Sequence, residues 1–459
     1  MVSPKYLKID SDVIDSGLII HYQNTYYEIK YPDRIWVKIP PLVKKALQDN
    51  LALATTLHLP MVVPGIAGIR FSTARPLLEP YFFQNFIRDI PSCTEVDGTD
   101  TDKAVRKFLQ LKFEYADPEI VYPGTTPIET EDKAIISASL GKDSLLTYAV
   151  AQEIGLNPEM VYIVEQSFTY ELKHKTELGR QFKKEFGKEL HILKHDTGKL
   201  RDYNHLGLPK SEFGWGLQST EYAIELIPFA YAFKGKYIFF GNEQSCASSY
   251  FDEMGNWRVY PCYDQTHIWT THIDQITKLL TGRSVQTGSL IEPLMDMMVQ
   301  RILVHRYPEI AKYQMSCFTE TEAGRDYKWC QNCFVCAKMY LMCVAGNVDP
   351  KNVGFTKNML ELKRKSLFTL FGGETNYTYT NTGLARDEQL FAFYLAVKNG
   401  VKAELVEYFH QSRLFLEAKE REDELIKTFC SLYDPISLPN ELKSNIISIY
   451  KEELDFFEI

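Results

Sequence analysis

The chain has 459 residues, more than one ordinary hydrophobic core accommodates, so two or three domains are expected. With 45% hydrophobic and 24% charged residues, its composition is that of a globular protein and excludes a disordered one. The net charge of -9 without a basic tail argues against a nucleic-acid partner, no apolar run is long enough to span a membrane, and the start "MVSPKYLKIDSD" lacks the features of a signal peptide; small-molecule chemistry in the cytoplasm is the expectation.

In residues 1–125 the alternating runs "GLIIHYQNTYYEIKY" and "RIWVKIP" predict antiparallel strands. "PLVKKALQDNLALATTLHL" predicts a helix with Pro41 in its first turn. Together these predict a small α+β domain, closed by the polar segment "TEVDGTDTDKAV" and the loop "YPGTTPIETEDK".

Residues 126–345 alternate differently. The strand "AIISAS" precedes a helix "DSLLTYAVAQEI" that Gly155 stops, then come the strand "MVYIVE", a helix "LKHKTELGRQFKKEF" that Gly187 stops, the strand "LHILKH", the helix "STEYAIELIPFAYAF" and the strand "KYIFFGNE". Short apolar strands alternating with such helices predict an α/β domain with a parallel sheet. Residues 346–459, including "DEQLFAFYLAVKNG" and "AELVEYFHQSRLFLEAKEREDELIKTFCSLY", predict a helical C-terminal region.

Two features carry chemistry. The first is Ser139-Leu140-Gly141-Lys142-Asp143-Ser144, between the first strand of the alternating region and its helix, where unpaired helix N–H groups can meet an anion. A Walker A loop is excluded, because Ile136 stands where its first glycine would be and Asp143 follows Lys142. The bland alternative is a turn in which Asp143 caps the helix. The second feature is Cys317, Cys330, Cys333 and Cys336, a C-x12-C-x2-C-x2-C series that suits a closed four-thiolate site. Zinc is favoured, with an iron–sulfur cluster as the rival.

The loop resembles the Ser-Gly-Gly-x-Asp-Ser motif of the PP-loop ATP pyrophosphatases, which cleave ATP between the α and β phosphates. Ser139, Gly141, Asp143 and Ser144 match it, and Leu140 departs from its glycine. The resemblance implies an adenine nucleotide alpha hydrolase-like core that binds ATP and Mg2+, with Lys142 and Asp143 serving catalysis. Over residues 133–345 the order of loop and cysteines is similar to the queuosine-pathway cyano-deazaguanine synthases. A longer resemblance, through "GNEQSCASS", "GSLIEPLMDMMVQRIL", "YQMSCF", "KWCQNCFVCAKMYL" and "LFTLFGG", is to ATP-dependent epimerases of UDP-N-acetylmuramoyl-L-alanyl-L-glutamate. These relatives imply adenylation of a small-molecule carboxylate, followed by epimerisation or by amide or nitrile formation; tRNA thiolation is a third, less favoured outcome.

Glu165, Asn242 and Glu243 end strands, where they are candidates to face ribose, magnesium or substrate, or else to cap helices. Arg283, Arg301 and Arg306 are candidate anion binders, and His174, His195, His205, His267 and His272 are candidate bases that no spacing singles out. "YPCYDQTHIWTTH" would suit a substrate pocket or a packed loop equally. The oligomeric state is not legible.

Overall fold

A computed structural model describes residues 4–123, 127–165, 170–319, 321–375 and 378–454. The boundary expected at residues 125 and 126 lies outside the described residues.

The strands are β1 Lys5–Ile14, β2 Gly17–Tyr22, β3 Thr25–Lys30, β4 Ile66–Ala74, β5 Lys112–Asp117, β6 Glu131–Ser137, β7 Glu159–Glu165, β8 Leu190–His195, β9 Gly235–Phe239, β10 Tyr250–Phe251, β11 Arg258–Val259 and β12 Gln286–Gly288. Ten of them form one sheet in the order β12-β9-β6-β7-β8-β3-β2-β1-β4-β5. From β12 to β8 every pairing is parallel. β3 then joins β8 antiparallel, through Ile29 opposite His195 and Lys30 opposite Lys194, so the N-terminal strands continue the sheet.

The parallel part is buried on both faces, and its strands therefore read as unbroken apolar runs. Ala134 and Ile136 of β6 belong to one core, with Tyr162 of β7, Phe239 of β9 and the C-terminal helices. Ile135, between them, points into a second core with Val161, Ile163, Leu193, Ile238 and the N-terminal helices.

Most predicted elements take their expected form, including the helix Pro41–Ala54 with its N-terminal proline and the helix Glu171–Phe186 ended by a left-handed Gly187. "RIWVKIP" is a correction, since Asp33–Trp36 is a short helix. Pro32 precedes it with an extended backbone, Asp33 supplies an acidic first turn, and Ile35 and Trp36 are both buried, which alternation did not anticipate. The long run after Val401 is three short helices, Glu404–His410, Arg413–Glu420 and Glu422–Phe429, with Ser412 capping the second. Among the described residues, no helix is long and apolar enough to cross a membrane.

Candidate functional site

Parallel strands place all their C-terminal ends on one edge. The chain runs from β6 to β7 and β8 on one side and returns to β9 on the other, so the loop after β6 stands where the strand order reverses. There the chain turns from Ser137 through Ala138 to Gly141 and enters the helix Lys142–Glu153. Gly141 holds the N-cap position, and Asp143, weighed as the cap, lies in the first turn instead. Leu140 has φ 55°, in the left-handed region that glycine enters freely, while its side chain is fully buried. The backbone thus keeps the shape that a glycine would give it.

The loop's polar groups are directed locally. The Gly141 N–H donates to Ser139 Oγ at 3.3 Å, the Lys142 N–H donates to Ser316 Oγ at 3.3 Å, and the Ser144 hydroxyl donates to the Gly141 carbonyl at 3.2 Å. Gly241, just past β9, packs so closely that a Cβ would stand 2.7 Å from Asp143 Cβ, so a side chain there would displace the loop.

Behind the loop lies a buried charge network. Lys142 pairs with Asp143 and Asp296, and Asp296 also binds Lys338, which pairs with Glu388 at 3.1 Å. Burial disfavours the Lys142 ammonium, but Asp143, Asp296 and Glu243 outweigh it and hold the pKa above the ordinary lysine value. Burial likewise disfavours charge on Asp296, yet Lys142 and Lys338 keep its pKa below the usual carboxylate range. Burial raises Glu243 and Asp143, the latter against the pull of Lys142. Glu243 also caps a short helical turn, taking the Ser245 hydroxyl at 2.6 Å, and Asn242 donates to Thr270 Oγ1 at 3.0 Å.

In front of the loop is a cavity of about 280 Å³, lined by Ser139, Gly141 and Asp143, by Tyr162, Glu165, Glu171 and Lys175, by Gln218 and Tyr222, and by Met315 through Phe318. Lys175 pairs with Glu171 and lies 4.8 Å from the centre of the Tyr162 ring. Glu165 accepts from Arg201 at 2.6 Å and from Tyr222 at 2.8 Å. Arg201 continues the network to Glu221 at 2.6 Å and to His195 at 3.0 Å, and His195 meets Glu225 at 2.8 Å. Burial opposes charge on Glu165, but Arg201 and His195 hold its pKa low, whereas burial pushes Glu221 up to about 7.

The four cysteines converge, with their Sγ atoms all within 4.8 Å of one another and those of Cys330 and Cys336 3.7 Å apart. A tetrahedron with metal–sulfur bonds of about 2.3 Å has edges of about 3.8 Å, so this donor set can hold one ion. Backbone N–H groups of Thr319 and Cys336 donate to Cys317 and Cys333 at 3.3 and 3.4 Å, which favours thiolates. Among the described residues these cysteines are the one group of three or more His, Cys, Asp or Glu ligands close enough to share an ion.

Of the residues anticipated, Ser139, Gly141, Asp143, Glu165 and Cys317 line the cavity, Leu140, Lys142 and Ser144 shape the loop, Glu243 acts on it through the charge of Lys142, and Asn242 is bonded away from it to Thr270. The arginines lie elsewhere: Arg301 binds the Gly346 carbonyl at 2.9 Å and Arg306 binds Glu153 at 3.0 Å. His195 is part of the Glu165 network, and the "YPCYDQTHIWTTH" segment contributes nothing to the cavity wall. Glu171, Lys175, Tyr222, Ser316, Asp296, Lys338 and Glu388 were not anticipated. Only Glu171 and Lys175, four apart at the start of a helix after a central strand, left a readable trace. No protein-family model matches the chain, and no curated protein matches it.

Proposed function

We propose that this protein is an ATP-dependent, AMP-forming enzyme that adenylates a substrate carboxylate and epimerises the activated acid, a peptide-linked glutamate of the cell-wall precursor type. What carries the reading is the Ser139–Ser144 loop, set at the end of a central parallel strand with its helix N-terminus beside a cavity of about 280 Å³. The loop's resemblance to PP-loop pyrophosphatases supports cleavage between the α and β phosphates.

One carboxylate oxygen attacks the α phosphorus, the α–β anhydride bond breaks, and pyrophosphate leaves with the bonding electrons. The helix amides and the hydroxyls of Ser139 and Ser144 would hold phosphate oxygens, with Lys142 supplying positive charge behind them. Magnesium would arrive on the ATP phosphates and screen their charge, with Asp143 as the loop carboxylate nearest to it. The acyl adenylate withdraws electrons from its carbonyl, so the α proton is lost more readily. Return of a proton to the opposite face and hydrolysis release the epimer and AMP. The longer epimerase resemblance favours epimerisation, and the region beyond the core reaches the loop, where Glu388 pairs with Lys338 and Lys338 with Asp296. The four-cysteine group suits zinc, which would act as a structural staple and leave no open coordination position.

Incubation with Mg-ATP and candidate carboxylates in deuterated water tests the scheme. AMP, pyrophosphate and deuterium at the α carbon are expected, and Asp143→Ala should abolish pyrophosphate release. Full retention of release in that variant would refute the role of the loop, while amide formation with ammonia and no deuterium would replace epimerisation by ligation.

A further inference from the structure

Met315 to Phe318 runs between the loop and the four-cysteine group. At one end the Met315 N–H donates to the Leu140 carbonyl at 2.7 Å. Two residues later, Cys317 is one of the four converging cysteines. Ser316 stands between these anchors. Its Oγ accepts the Lys142 N–H at 3.3 Å and the Gln314 side-chain amide at 3.2 Å. The Gln314 amide is held by Gln300 through bonds of 2.8 and 3.0 Å, which turns its N–H toward Ser316. A hydroxyl with both lone pairs engaged has only its proton left to offer, and among the described residues no acceptor takes it.

Ser316 and Cys317 both line the cavity. The same wall carries three polar atoms without a partner, the Tyr162 hydroxyl, Glu165 Oε2 and Glu171 Oε2, on side chains less than one-tenth exposed. A buried polar atom that nothing satisfies destabilises the fold, because it has given up its bonds to water without replacing them. Their concentration around one cavity is what a site for a polar ligand requires.

We propose that Ser316 is a phosphate-binding residue of the nucleotide site, delivered to it by the four-cysteine centre, so that metal loading sets the affinity for ATP. The inference rests on the ATP reading above. The oxygens of Ser139 and Ser316 occupy the amides of the N-cap residue Gly141 and of the first helical residue Lys142 and mark where phosphate oxygens enter. When a phosphate oxygen takes the Lys142 N–H, the Ser316 proton is placed to donate to the same group. A metal ion fixes Cys317, and through Cys317 the adjoining serine. Without it, Cys317 loses its bonds to the ion shared with the other three cysteines, and the segment is held by its Leu140, Lys142 and Gln314 hydrogen bonds and its packing.

The test is titration calorimetry of the metal-loaded full chain and its Ser316→Ala variant with Mg-ATP and with adenosine, alongside metal content. Losing a charge-assisted hydrogen bond predicts roughly 10-fold or more weaker ATP binding, with adenosine affinity and metal content unchanged. Equal ATP affinity in the two proteins overturns the proposal, and so does a matching loss for adenosine, which would reveal a merely structural serine. If the wild-type chain binds adenosine but gains nothing from the phosphates, the ATP reading itself falls. Cys333→Ser, at the partly buried ligand, tests the coupling: a folded, metal-poor variant should bind ATP weakly, and wild-type affinity would sink that half of the proposal. Should it unfold, the wild-type chain stripped of metal by a chelator decides the coupling: weaker ATP binding that returns on adding zinc supports it, and unchanged affinity overturns it.

Discussion

Leu140 holds a left-handed backbone that costs an ordinary residue about 1–2 kcal/mol. It persists because the side chain is fully buried in the core formed with the C-terminal helices, a contact worth about 2–5 kcal/mol in comparable deletions. Burial outweighs strain, so Leu140→Gly should relax the turn yet lower stability by about 2 kcal/mol, read as a shift in the urea midpoint; a stabilised variant would show that the strain outweighs the burial. At this scale legibility follows contiguity. Ser139, Gly141 and Asp143 share one turn, and the four cysteines lie within twenty residues, so both groups could be read directly from the chain. Ser316, Asp296 and Glu388 reach the same place from separate elements, and no local pattern of residue types encodes that meeting.

The helix Glu79–Asp97 shows what an element adds to its residues. Its stop at a left-handed Gly98 has a local cause, but nothing local says that Asp89 faces inward, where a Cβ on Gly216 would collide with its carboxylate. Burial pushes the Asp89 carboxyl up to about 7; the Cys93 thiol, donating at 3.1 Å, pulls the other way, and the charges of Asp264 and Glu212 add to the rise. Because this folded pKa stands above the unfolded value of about 4, the folded protein holds a proton that the unfolded chain has released. The associated stabilisation is complete below pH about 4 and is lost as the pH rises through about 7. Asp89→Asn removes that titration. Its thermal midpoint should exceed that of the wild type at pH 8, by roughly 2 kcal/mol or more in stability, with the gap closing toward pH 4. A gap that does not vary with pH would mean that Asp89 is ionised in the fold. The "RIWVKIP" correction has a related cause: with Ile35 and Trp36 both buried, the burial pattern is set by the helix Gln218–Phe233 packed against them and by β1, whose Ile14 carbonyl accepts the Trp36 indole N–H, not by the run itself.

Across the whole molecule, the change from hairpin-like to alternating pattern was visible, but the pairing of β3 with β8 was not, since register between distant strands leaves no local signature. That pairing covers only two residues on each strand, which would be a weak joint alone. The stronger link is the second core, where Ile9, Leu18 and Ile29 from the N-terminal strands share one cluster with Ile135, Val161, Leu193 and Ile238 from the parallel strands. Separating the two parts would expose both halves of it, at about 25 cal/mol for each Å² of apolar surface. The connection around Pro118 to Tyr122 is by contrast mostly exposed and without regular structure. A protease site inserted after Glu119 should therefore be cut without dissociation. The two fragments are expected to co-elute on size exclusion and to unfold in one transition. Elution as two folded pieces would mean that the shared core contributes less than its apolar contacts imply, and would make the N-terminal part a domain in its own right.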